Sequence, residues 1–133
     1  MRSRLTSMAT AMALISSSVF FTNVALGDER MTMLLKQPID AGMEANMVRI
    51  EADPGYQTER HLHPGHVFIY VLEGTLELDV DGEDPIRLSA GEAGYETPNK
   101  PMIGRNASST EGLKAIVFQI GEAGKPMQVA QPN

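Results

Sequence analysis

The chain has 133 residues, with 11 Lys and Arg against 17 Asp and Glu, a formal net charge of −6. That length suits one domain, and the acidic balance argues against nucleic acid or anionic lipid headgroups as partners. With no cysteine, disulfide staples, a thiolate nucleophile and thiolate metal ligation are excluded.

Arg2 and Arg4 precede an uncharged stretch from about Leu5 to Phe21, which ends in Ala25-Leu26-Gly27 before Asp28-Glu29. This is the layout of a cleaved export signal, and the small residues place the cut after Gly27. The expectation is a signal peptide over 1–27 and one domain over 28–133, periplasmic or secreted and not membrane-associated after cleavage. The remaining segment keeps 9 basic and 17 acidic residues, a net charge of −8.

From Asp28 to Lys36 the sequence reads as an edge strand with Met31, Met33 and Leu35 on one face. Pro38 and Gly42 punctuate a turn, Met43 to Ala52 alternates as a second strand, and Asp53-Pro54-Gly55 is a turn. Further on, Val67, Ile69 and Val71 form one face of a strand and Phe68, Tyr70 and Leu72 the other, so both faces are expected to be covered. Thr75 to Val80 alternates, Asp81-Gly82 predicts a hairpin, and a short return strand runs through Ile86 and Leu88. Met102 to Arg105 reads as a short strand and Leu113 to Ile120 as a longer one. The tail beyond Gly121, rich in Gly, Pro and Gln, is expected to fray. After residue 27 there is no amphipathic run long enough for a sizeable helix. Eight or more short strands at turn spacing argue a sandwich or small barrel.

All three histidines fall within GYQTERHLHPGHVFIYVLEG, residues 55–74. His61 and His63 share one face of an extended segment, because strand side chains repeat every second residue. This stretch resembles the first motif of the cupin superfamily, in which a glycine and five residues precede His-x-His, then a glutamate and a closing glycine. Gly55, His61, His63 and Gly74 take those positions. The second motif, glycine to asparagine around a proline, is similar to Gly91 through Asn106 with Pro98 and Pro101 inside. The likeness covers Gly55 to Ile120 and points to the small secreted single-domain cupins. It implies an all-β double-stranded β-helix, a jelly-roll barrel, with a divalent metal held by two histidines and a glutamate of the first motif and a histidine of the second. Here the glutamate slot holds Val67 and the second histidine slot Met102.

The candidate ligands are therefore His61 and His63, with Glu96, His66 and Met102 as replacements, and Tyr95 and Val67 as pocket residues. Neutral imidazole suits Cu, Zn, Fe, Ni and, in mixed sites with oxygen ligands, Mn. A thioether at Met102 would favour copper, and His61, His63 and Glu96 plus water would suit zinc. Simple alternation from Val67 turns His66 to the opposite face.

Three functions follow: a secreted module binding a metal ion or small ligand without turnover, a metal-dependent oxygenase, isomerase or lyase acting on a small polar organic molecule, and a scaffold with a relic pocket. A homodimer is expected, since a partner copy would cover the first strand and the outer face at Phe68, Tyr70 and Leu72.

Overall fold

A computed structural model describes residues 27–132. The expected export signal thus lies, apart from Gly27, outside the described residues. The described residues form ten strands: β1 Glu29–Pro38, β2 Met43–Ala52, β3 His61–Leu62, β4 His66–Glu73, β5 Thr75–Val80, β6 Ile86–Ser89, β7 Ala93–Glu96, β8 Met102–Asn106, β9 Leu113–Glu122 and β10 Val129–Ala130. One turn of 3-10 helix, Asp40–Gly42, joins the first two. Among the described residues no helix is long and apolar enough to cross a membrane.

The expected closed jelly-roll barrel is corrected by the strand order. All ladders are antiparallel and make two separate five-stranded sheets, β1-β2-β9-β4-β7 and β10-β3-β8-β5-β6, each with two free edges. The chain leaves β7 in one sheet for β8 in the other through residues 97–101, where Pro98 and Pro101 have no N–H to donate to a ladder. The β10 and β3 strands at the opposite edge are two residues long and carry no ladder across either. The sheets face each other over one core. Val48, Val67, Ile69, Val71 and Val117 come from the first sheet, and Leu76, Leu78, Val80, Leu88 and Met102 from the second.

Alternation holds through β4. Val67, Ile69 and Val71 are buried, while Phe68, Tyr70 and Leu72 remain exposed on the outer face. The β1 strand departs from simple alternation. Met33 pairs with Val48 but Leu35 pairs with Met47, so a bulge at Leu34 turns Leu35 to the face opposite Met31 and Met33. The tail is also structured. Val129 pairs with Leu62 and Ala130 with His61, and Gln131 N donates to Arg60 O, so β10 straps the strand that carries the first histidine.

Two glycines set close approaches. A Cβ on Gly65 would lie 2.5 Å from Ile120 O, so only glycine lets the bend before β4 pass the end of β9. Gly74 has φ +79°, and a Cβ there would lie 2.5 Å from Gly112 O.

Candidate functional site

The core is polar at one end. In the first sheet the inward row runs Asn46, Gln119, Val67 and Glu96 on four adjacent strands, and all four are buried. In the second sheet the facing row holds His61 opposite Met102, and Met102 opposite Val80. His61 and His63 are both buried, with ring centroids 5.0 Å apart and planes at 86°. With Glu96 they line a cavity of about 70 Å³, several times the space one water needs.

Backbone carbonyls fix both histidine tautomers. His61 Nδ1 lies 2.9 Å from Glu59 O, and His63 Nδ1 lies 2.6 Å from Met127 O. A carbonyl oxygen only accepts, so each Nδ1 carries a hydrogen, and in the neutral ring that tautomer leaves the lone pair on Nε2. Burial depresses the His63 pKa to about 4; the Met127 carbonyl opposes this shift and the neighbouring His61 adds to it. Glu96 is 4% exposed, and burial raises its carboxyl pKa to about 7. Its Oε2 has no hydrogen-bond partner, and His63 Nε2 lies 3.4 Å away. Both groups are thus driven toward their neutral forms, with one proton on the carboxyl and none on Nε2.

The remaining candidates are dispersed. Val67 is fully buried directly opposite Glu96. Met102 is buried in the hydrophobic core cluster and is not among the residues lining the cavity. His66 and Tyr95 stand on the outer face of the first sheet, where His66 Nδ1 and the Tyr95 hydroxyl are 2.7 Å apart with rings stacked at 19°. The fold brings together His61, His63 and Glu96, and leaves His66, Tyr95 and Met102 elsewhere. Among the described residues no three His, Asp or Glu side chains already stand at metal-ligand spacing.

Other wall residues carried no signal in the sequence. Met127 and Gln128 come from the tail, whose composition marks only a loop. Tyr56 and Glu29 line the cavity on its other side, where the Tyr56 hydroxyl donates to Glu29 Oε2 at 3.0 Å. Burial and the adjacent Glu29 charge raise that phenol to about 12.

The family model for the Cupin domain matches residues 48–118, more than half of the chain. The chain is a cupin. No curated protein matches it. Among solved structures it is similar to a cupin-like protein from Thermotoga maritima, at 20% identity over 80% of this chain and 78% of that one, TM-score 0.67. It is also similar to the DMSP lyase DddQ from Ruegeria pomeroyi, at 19% identity over 77% of this chain, TM-score 0.65. This cupin spans 51% of that lyase. A third likeness is to oxalate decarboxylase from Bacillus subtilis, at 15% identity over 78% of this chain and 28% of that one, TM-score 0.60. At these identities the likeness carries the fold.

Proposed function

We propose that this cupin is a metal-dependent enzyme acting on a small organic molecule, with His61, His63 and Glu96 as the protein's ligands to one divalent ion. The observation that carries this reading is Glu96 Oε2, buried without a partner in the same cavity as two imidazoles whose Nδ1 atoms are already engaged. A buried carboxylate without a partner is costly, and a cation offsets that cost. Two histidines and one glutamate are also a ligand set that zinc accepts with a position left open. The residues present therefore fit the group. When bound, the ion would polarise an oxygen of the substrate. The chain's own contribution is to hold both Nε2 atoms toward the cavity, keep water out with an apolar wall and supply the carboxylate. That similar folds include a lyase and a decarboxylase agrees with such chemistry. Oxygenase, isomerase and lyase reactions all suit this set, and the product formed tells them apart.

Metal analysis of the purified protein, repeated for an H61A/H63A double variant, tests the reading. One zinc, copper, iron, nickel or manganese ion per chain, lost in the variant, is the expected result. No bound ion in the wild type under any metal supply would overturn it and leave a scaffold with a relic pocket. A bound ion without turnover of any small molecule would mark a binding module.

Two further parts of the reading concern context. Residues 1–27 act as an export signal, and a mature N-terminus at Asp28 would establish a periplasmic or secreted product. The active unit is a homodimer. Leu35, Met47, Phe118, Phe68 and Tyr95 form an unbroken apolar row across the five strands of the outer face, flanked on β4 by Tyr70 and Leu72, both exposed. Such a face is self-complementary about a two-fold axis. Light scattering at micromolar concentration should give twice the chain mass, and F68E should halve it.

A further inference from the structure

The cavity is polar at His61, His63 and Glu96 and again at the Tyr56–Glu29 pair on its other side, with largely aliphatic walls between them. Beyond the row that carries Glu96, the first sheet presents Val117 and Ile69, then Ile50, then Leu113. Beyond His61 and Met102, the second sheet presents Gly104 and Leu78, then Asn106 and Leu76. Several polar groups along this length are already engaged. Thr58 Oγ1 accepts from Gly104 N at 3.0 Å, and the Asn106 amide donates to Glu111 O at 2.8 Å and Asp53 O at 3.1 Å. Arg105 supplies the only cationic side chain among the residues that line the cavity, and its guanidinium is bonded to Glu77 and Asp79. Between its two polar regions the walls hold no free cation to receive a second anionic group of a ligand, and the carboxylate of Glu29 on the far side would repel one.

We propose that the natural ligand is a compact amphiphile, with one oxygen-bearing head at His61, His63 and Glu96 and a short branched hydrocarbon body. The body lies between Ile50, Ile69, Leu113 and Val117 on one side and Leu76 and Leu78 on the other. The position of the head rests on the metal-site reading; that of the body rests on the walls alone. This narrows the substrate from a small polar molecule to one with a single anionic or oxygen-bearing head and an aliphatic body. A second carboxylate would be buried against aliphatic side chains or beside the Glu29 carboxylate, so dicarboxylates are excluded by desolvation and like-charge repulsion. Each buried methylene is worth roughly a fourfold gain in affinity.

Gly104 leaves room beside the body, in the first row beyond the head. A Cβ there would meet Leu78 Cδ2 at 3.5 Å, Thr58 Cγ2 at 3.8 Å and Leu76 Cδ1 at 4.0 Å, all ordinary contacts. Gly104→Ala therefore fills space in the cavity without forcing the sheets apart.

The test is calorimetric titration of the zinc-loaded protein with acetate, isovalerate and malonate, repeated on Gly104→Ala. Isovalerate should bind more than about tenfold tighter than acetate or malonate. Gly104→Ala should shrink that margin several-fold while acetate affinity and zinc content stay the same. Malonate equal to or tighter than isovalerate, equal affinities for acetate and isovalerate, or no isovalerate binding would overturn the proposal. Failure to take up zinc would instead sink the metal-site reading. The ligand class is then decided on metal-free protein by amide chemical shifts of Gly94 and Gly104 with isoamyl alcohol against ethanol. A clear preference for isoamyl alcohol supports it, and no preference overturns it.

Discussion

Val67 and Glu96 stand directly opposite each other across the β4–β7 ladder, both facing inward. The first motif that this stretch resembles would place a carboxylate at 67, and the chain carries one on the neighbouring strand at the same level. Paired residues on one sheet face are about 5 Å apart at Cβ, within the reach of a glutamate side chain. Glu96 can therefore serve the same cavity from one strand over.

This relationship predicts the outcome of moving the carboxylate. E96A should weaken zinc binding by more than about 100-fold, since even outer partners of a ligand are worth about 10–100-fold. V67E/E96V should recover most of that loss, because it returns a carboxylate to the facing position with the total volume nearly conserved. Competition against a chromophoric chelator reads both. Equal affinity in wild type and E96A would remove Glu96 from the ligand set.

The C-terminal tail is predicted to control the site although it contains no expected ligand. Met127 O holds His63 Nδ1 at 2.6 Å, and β10 pairs with the two-residue strand carrying His61. Ending the chain after Gly124 removes both restraints but leaves β9 intact. Zinc affinity should fall about 10–100-fold, as expected for loss of an outer hydrogen-bond partner. The truncated protein should keep a cooperative melt, because the core cluster, apart from peripheral Met127, lies between Val48 and Val117. Unchanged affinity would show that the tail does not orient the histidines.

How far these features could be read from the sequence depends on whether they are local. Alternation placed β2 at Met43–Ala52, β5 at Thr75–Val80 and the inward face of β4, since period-two burial is written in consecutive side chains. The histidine pair was legible for the same reason. Closure was not, because whether edge strands pair depends on contacts between residues far apart in the chain, and the expected barrel gave way to two open sheets. The bulge at Leu34 could not be read from a run of apolar residues that fits either register. Composition alone made the tail look frayed, because the contacts of β10 are with residues more than sixty positions away. His66 and Tyr95 show the same limit. Alternation put His66 opposite Val67, but their hydrogen bond across the β4 and β7 strands needed the pairing register.

Asn106 is predicted to matter for stability more than for ligand binding. Its amide donates to Glu111 O at 2.8 Å, Asp53 O at 3.1 Å and Ala52 O at 3.4 Å, and its Oδ1 accepts from Ser108 N at 3.0 Å. One buried side chain thus ties the end of β8 to the end of β2 and to the turn before β9. N106A would leave several buried carbonyls unsatisfied, at about 1–3 kcal/mol for each group that water does not reach. Denaturant unfolding should show a loss of roughly 2–4 kcal/mol with little change in zinc affinity. A loss below about 0.5 kcal/mol would mean that water replaces the amide.

The His63–Glu96 pair makes a pH prediction for the metal-free protein, and its two members have opposite signs. The Glu96 pKa is raised by burial from 4.5 to about 7, so on its own it favours the folded state below about 4.5 and loses that stability as pH rises through 7. The His63 pKa is lowered, mainly by burial, from 6.5 to about 4. Its contribution is present above about 6.5 and is lost as pH falls through 4. Between about pH 4.5 and 6.5 the folded pair holds one proton on Glu96 and the unfolded pair holds one on His63. The proton counts match, so this pair adds almost no pH dependence there. Removing either partner exposes the other's slope. H63Q should lose stability on going from pH 5 to 7, and E96Q should lose it on going from pH 6.5 to 4.5, each at up to about 1.4 kcal/mol per pH unit. Urea midpoints measured in chelator across pH 4.5–7.5 read both slopes. Parallel slopes in the two variants would mean that Glu96 and His63 do not hold the proton as their burial requires.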